Sequence, residues 1–314
     1  MEKTIRIGTR DSELALWQAN TVKTKLEALG YRTQLVPVKS EGDLVLDKPL
    51  YEMGITGIFT KTLDVAMLTG KVDIAVHSMK DVPTLLPKGI VQTAVLERAS
   101  STDLLVSTEE IDYENPCTIA TGSLRRKAQW LHRYPHHKVV DLRGNVNTRL
   151  QKLKDNNWQG AIFAEAGLER LGFLKGKIIK NLSFEGTAAA LDWMLPAPAQ
   201  GAMVVVALEN ETFSRQATSR LNQAEAEICT QIERDFLRTL EGGCTAPIGA
   251  SAKFMADGIR FKGCLFSLDG KKKLEIEKTI SKNEYANFGR ECASYILQNG
   301  GKELMAQIKT QIKK

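Results

Sequence analysis

Along the first two hundred residues, short apolar runs alternate with stretches whose apolar positions recur every three or four residues. "TIRIGT" reads as a strand, and Leu14, Trp17, Val22, Leu26 and Leu29 give the helix after it one apolar face that stops at Gly30. "QLVPV" predicts a second strand, the run from Ile58 to Leu68 a helix ending at Gly70, and "VDIAVHS" a buried third strand. Such alternation predicts a mainly parallel sheet with helices on both faces.

The pattern then restarts. "CTIATGS" predicts a strand, Leu124 to Tyr134 a helix, "KVVDLRG" a strand, Val146 to Lys154 a helix, and "GAIFAEAG" a strand that leads into a short helix through Leu171. The stretch from Lys175 to Ala190 has no clear period and reads as a loop or insertion. "MVVVALE", from Met203, is an isolated late strand placed to return and complete the first sheet. After residue 219 come a long helix from Asn222 to Leu240, strands near Ile248 to Phe254 and Ile259 to Ser267, a turn at "LDG", a further strand and two terminal helices. The expected organisation is an α/β domain of residues 1–97 and 200–218, a second α/β domain of residues 98–199, and a small α+β domain of residues 219–314. Two lobes joined by crossing segments would make a hinged cleft.

At 43% hydrophobic and 25% charged residues, the 314-residue chain has the composition of a globular protein with a sizeable core. No run approaches the ~18 apolar residues of a membrane span, and the start has no leader-like pattern, so a cytoplasmic location is expected. The formal charge of +6 permits anionic partners without demanding them. Five scattered cysteines without a CxxC pair argue against a disulfide framework or a zinc site.

Candidate chemistry collects where predicted strands end, the edge at which open parallel sheets gather ligands. "TIRIGT" runs into Arg10 and Ser12, and "IAVHS" into Ser78, Lys80 and Asp81. "TIATGS" runs into Thr121, Ser123, Arg125 and Arg126, and "VVDL" into Arg143, with Arg149 a little further on. Each turn opens a predicted helix, whose free N–H groups favour anions, and guanidiniums add bidentate recognition of carboxylate or phosphate. The set predicts a ligand carrying several negative charges.

Asp81 is the one acid that these motifs place among the bases. Its carboxylate is a candidate for stabilising a cationic intermediate or relaying a proton, against the plainer role of a turn-forming residue before Pro83. His77, inside an apolar strand, reads as a packed histidine. His132, His136 and His137 do not read as metal ligands, because Pro135 interrupts the helix and no acid or cysteine lies near. Aromatic residues make up only 6%, and the bases form no stripe, so nucleic-acid binding is not expected. Cys244 differs from the other cysteines: in "LEGGCTAPIG" it follows a glycine pair and precedes Pro247, a loop that presents a thiol outward.

Taken together, "IGTRDSELALWQA", "VHSMKDVPT", "TGSLRRKAQ", "LRGNVNTRL", "AQGA" and "LEGGCTAPIG" resemble, in order and over essentially the whole chain, the motifs of the porphobilinogen deaminase family. The resemblance implies three α/β domains, the first two similar to the lobes of periplasmic binding proteins. It implies a monomeric enzyme that joins four porphobilinogen molecules head to tail into hydroxymethylbilane, releasing ammonia, on a dipyrromethane cofactor. That cofactor would be attached by a thioether to Cys244. Asp81 would contact pyrrole nitrogens and stabilise the cationic azafulvene-like species. Ser78, Lys80, Thr121, Ser123, Arg125, Arg126 and Arg143 would bind the cofactor, and Arg10, Ser12, Arg149, Arg170 and Gln200 the substrate.

Two positions depart from the family pattern. Thr56 stands where many members carry a lysine on a loop over the site, and Gly122 where serine is common. A different class of protein, a two-lobed cytoplasmic receptor for a small polyanion, would use the same arginines without turnover; a covalent anchor at Cys244 separates the two.

Overall fold

In the computed structural model, residues 3–39, 60–240 and 246–312 are described. By contacts they fall into two compact units, one of residues 3–39, 60–99 and 201–228, the other of residues 100–200, 229–240 and 246–312.

The first unit is built on strand β1 (Ile5–Thr9), helix α1 (Glu13–Ala28), β2 (Thr33–Pro37), α2 (Lys61–Leu68) and β3 (Ile74–Ser78). To these it adds β4 (Ile90–Val95), β12 (Met203–Leu208) and α6 (Thr212–Ser219). The strand order is β2-β1-β3-β12-β4. β1 lies parallel to β2 and β3, while β12 returns antiparallel between β3 and β4, so the sheet is mixed rather than all parallel. The late "MVVVALE" strand does complete the first sheet. β4 follows no crossover helix and falls outside the strand–helix grammar that the sequence otherwise shows. Ile5, Ile7, Ile74, Val76 and Val205 pack with Val22 and Leu26 of α1. Each such side chain, fully buried, contributes about 1.5–3 kcal/mol.

The second unit contains β5 (Asp103–Ser107), β6 (Thr118–Ala120), α3 (Leu124–Arg133), β7 (Lys138–Val140), α4 (Val146–Asp155), β8 (Gly160–Ala164) and α5 (Glu165–Arg170). β9 (Leu174–Lys175), β10 (Ile178–Lys180) and β11 (Glu185–Ala190) follow, giving the order β7-β6-β8-β5-β11-β10-β9. The stretch expected to be a loop is therefore an antiparallel meander that extends this sheet. "EGTAAA" has weak strand propensity of its own, and its pairing with β5 at Thr187↔Ser107 through Ala190↔Leu104 supplies what local sequence does not. Alternation along β5 puts Leu104 and Val106 into one core and Leu105 into another, so the sheet is buried on both faces.

In the same unit, α7 (Ala224–Thr239, begun in the first unit) and the antiparallel sheet of β13 (Ile248–Met255), β14 (Gly258–Phe266) and β15 (Lys273–Ile280) precede α8 (Phe288–Ile296) and α9 (Lys302–Ile312). Phe261 packs against Phe236 at 5.0 Å and Phe288 at 5.9 Å between ring centroids. The β14–β15 turn docks on α3: a Cβ at Gly270, where φ is +75°, would lie 2.4 Å from the Ala128 carbonyl oxygen. His132 Nδ1 lies 2.7 Å from the Gly270 carbonyl oxygen. None of the described helices is long and apolar enough to cross a membrane.

Candidate functional site

Because β1 and β3 are parallel neighbours, their carboxyl ends share one edge of the first sheet, which brings Arg10 and Ser12 to the side of Ser78, Lys80 and Asp81. Ser12 is the N-cap of α1, yet its hydroxyl accepts no capping hydrogen bond, and its buried Oγ has no partner. Ser78 Oγ accepts a 2.8 Å hydrogen bond from Gln18 Nε2. The chain leaves β3 through a single 3-10 turn, Met79–Asp81, held by Met79 N–H donating to the Ala202 carbonyl at 3.0 Å. Lys80 and Asp81 on that turn are half-buried. His77, 7% exposed, has a buried Nε2 without a partner. Burial, reinforced by the charge of Arg10, pushes its pKa down to about 3, so the imidazole is neutral, in keeping with a packed histidine.

At the corresponding edge of the second unit, Thr121 and Ser123 follow β6, and Ser123 caps α3 by accepting from Arg126 N–H at 3.4 Å. Here the structure adds a residue that the motifs passed over. Asp103, fully buried, heads β5, which runs antiparallel to β8 and so delivers its first residue to this same edge opposite Ala164. Arg125 pairs with Asp103 Oδ2 at 2.7 Å and donates through Nη1 to the Leu195 carbonyl at 2.6 Å. Arg126 donates to Asp103 Oδ1 from Nε at 3.1 Å and Nη2 at 2.7 Å, and to the Ile162 carbonyl from Nη1 at 2.8 Å. Burial alone would raise the Asp103 pKa; the two guanidiniums reverse this and hold it below the usual carboxylate range. The only sequence signal for Asp103 is a lone acid at the head of "DLLVS".

Gln200 joins this cluster, donating from Nε2 to Asp103 Oδ1 and to the Ser101 carbonyl, each at 2.8 Å. It follows Ala199, a non-glycine residue at φ +62° whose N–H donates to Glu233 Oε2 at 2.7 Å. Such backbone costs on the order of 1 kcal/mol and persists where surrounding contacts over-determine it. Arg143, 7% exposed, follows β7, and Arg149 Nε donates to the Gly144 carbonyl at 2.7 Å. Asn145 caps α4, accepting from Thr148 N–H at 2.9 Å. Arg170 ends α5, and burial lowers its pKa. Most of the sequence-derived set is thus held at two sheet edges, one in each unit: Arg10, Ser12, Ser78, Lys80 and Asp81 in the first, and Thr121, Ser123, Arg125, Arg126, Arg143, Arg149 and Gln200 in the second. Arg170, at the far end of α5, is not brought to that edge by any contact described above.

The departure at Gly122 has a physical reason: a Cβ there would lie 2.6 Å from the Leu142 carbonyl oxygen, so a serine would force this backbone apart. Thr56 and Cys244 lie outside the described residues. The other four cysteines are buried, and burial pushes the thiols of Cys264 and Cys292 up to about 12 and about 11, where they are inert. His137 accepts at Nδ1 from Trp130 Nε1 at 3.2 Å, with its Nε2 3.0 Å from the Tyr113 carbonyl. No group of three or more metal-ligating side chains occurs among the described residues.

Residues 5–216 match the family described as porphobilinogen deaminase, dipyromethane cofactor binding domain, and residues 206–298 match porphobilinogen deaminase, C-terminal domain. The porphobilinogen deaminase of Campylobacter hominis is 38% identical, over 96% of this chain and 97% of the relative. That of a Nitratiruptor species is 40% identical, over 96% of each chain. Among solved structures, the BvgS periplasmic VFT2 domain of Bordetella pertussis is similar at a TM-score of 0.43 and 11% identity, covering 69% of this chain and 86% of that one.

Proposed function

The chain belongs to the porphobilinogen deaminase family, and from that premise we propose that Asp81 is the catalytic carboxylate and Cys244 the attachment point of the cofactor. The protein is an enzyme of tetrapyrrole biosynthesis, condensing four porphobilinogen molecules into hydroxymethylbilane with release of ammonia on a dipyrromethane cofactor. When bound, that cofactor supplies the pyrrole carbon to which the first substrate is joined. The donor set suits such a group: hydroxyls and cations line the two edges, and a buried Ser12 Oγ awaits a partner.

The observation that carries the assignment is the placement of Asp81 on the 3-10 turn beside Lys80, at the edge shared with Arg10 and Ser12. As the aminomethyl C–N bond of the substrate breaks, its electron pair leaves with ammonia and positive charge spreads over the pyrrole ring. A carboxylate at that ring's N–H accepts its hydrogen bond and offsets the charge. Arg10, Ser12, Arg149, Arg170 and Gln200 bind or position substrate carboxylates. Ser78, Lys80, Thr121, Ser123 and Arg143 hold the cofactor. Arg125 and Arg126 act with them through charge, since two guanidiniums share one carboxylate and the cluster keeps a net positive field.

The domain division of residues 1–97 with 200–218, 98–199 and 219–314 is part of the proposal, as are a cytoplasmic monomer and the lack of a nucleic-acid partner. The test is the intact mass of the purified protein with peptide mapping around Cys244. An added mass of two porphobilinogen units less two ammonias on that residue is expected. A chain that is unmodified, and stays so after incubation with porphobilinogen, would overturn the attachment.

A further inference from the structure

A cavity of about 260 Å³ in the second unit lies between the C-terminal sheet and the segments around residues 101–102 and 191–196. None of its lining residues is assigned to the reaction above. Its sheet wall follows from strand alternation. Ser251 and Lys253 of β13 stand opposite Lys262 and Arg260 of β14, while Ala250, Ala252, Ile259 and Phe261 between them turn the other way into the core.

Lys253 and Arg260 are direct cross-strand partners, a pairing of like charges that destabilises a sheet unless something neutralises it. Among the described residues neither side chain has a carboxylate partner; only Lys262 has one, Glu277 on β15 at 2.9 Å. The cavity contains a single acid, Asp192, against these three cations. The hydroxyls of Ser101, Thr102 and Ser251 line the same space and add neutral donors.

We propose that this cavity is a second, non-catalytic binding site for a compact oxyanion of at least two negative charges. The Arg260 fork offers bidentate contact to two oxygens, Lys253 and Lys262 act as point charges, and the hydroxyls complete the shell. Phosphate and polycarboxylate share this chemistry. Ser101 and Thr102 directly follow the point at which the chain enters the second unit, so occupancy would fasten that entry segment to the C-terminal sheet.

The test is calorimetric titration of the full-length, cofactor-bearing enzyme with inorganic phosphate and, separately, citrate, in a chloride-matched non-anionic buffer. One-site saturable binding of at least one probe is expected, weakened about tenfold or more in Lys253→Gln/Arg260→Gln, with turnover of porphobilinogen unchanged. The probe that binds more tightly identifies the source class. Lys253→Glu, which turns the like-charge pair with Arg260 into an opposite-charge one, should abolish the binding without lowering the melting temperature. Binding of equal affinity in wild type and variants would assign the anion to the strand-end cations and overturn the proposal. So would a lack of saturable binding of either probe.

Discussion

At the carboxyl edge of the first sheet the buried Ser12 Oγ and His77 Nε2 have no hydrogen-bond partner; at the second sheet Arg125 Nε and Asp103 Oδ2 also lack a hydrogen bond, but both Arg125 and Arg126 are ion-paired with Asp103 and Arg126 donates from all three guanidinium nitrogens to protein oxygens. In sequence the edges look alike: a strand, a hydroxyl, one or two bases, a helix. The difference comes from an acid that the motif does not contain. Asp103 arrives on an antiparallel strand and turns Arg125 and Arg126 into part of the scaffold of the second unit. No such acid heads a strand at the first edge, where Asp81 sits half-buried on its turn. A strand-end arginine thus reports an anion, but which anion depends on topology.

The largest effect that could break this contrast is expected from Asp103→Ala. Two buried guanidiniums would lose their shared counter-charge, and denaturant unfolding should show a loss of about 3–5 kcal/mol. The carboxylate is held below its unfolded value, so its contribution is present above about pH 4 and is lost as pH falls below that. The milder Asp103→Asn should therefore flatten the acid limb of the stability curve. An unchanged limb would remove the structural role given to this pair.

His77 sharpens the first edge. Its folded pKa of about 3 lies below the ordinary 6.5, so the unfolded chain binds the proton first and stability falls as pH drops from 6.5 toward 3. By pH 5 the loss amounts to about 2 kcal/mol. His77→Gln should erase that slope in urea midpoints measured across the interval, and a slope that survives would place the titrating group elsewhere. The smallest effect belongs to Asn145→Ala, which removes the cap of α4 for about 1 kcal/mol. Because α4 carries Arg149, KM for porphobilinogen should rise more than kcat falls.

Much of the fold was legible because apolar periodicity and glycine stops are local signals. α3, α4 and the strands into Thr121 and Arg143 lie where the periods put them. The strands missed, β4, β5 and β9 to β11, are not followed by a helix and so fall outside the strand–helix alternation, and β11, mostly alanine and glycine, is created by its pairing partner rather than by local propensity. The candidate site followed the same divide. Residues that end strands were visible as motifs, and the structure brings each set to one sheet edge. Asp103 was not visible, because a single acid before "LLVS" acquires meaning only when an antiparallel register carries it to Arg125 and Arg126. The clash that a Cβ at Gly122 would meet likewise depends on a carbonyl twenty residues away.

The central claim is that the chemistry belongs to Asp81 and not to the buried acid of the second unit. The most direct measurement is steady-state porphobilinogen consumption by Asp81→Asn, made alongside its thermal melt. The account predicts a turnover about a hundredfold or more below wild type, with an unchanged melting temperature. Turnover close to wild type in a folded Asp81→Asn protein would contradict it.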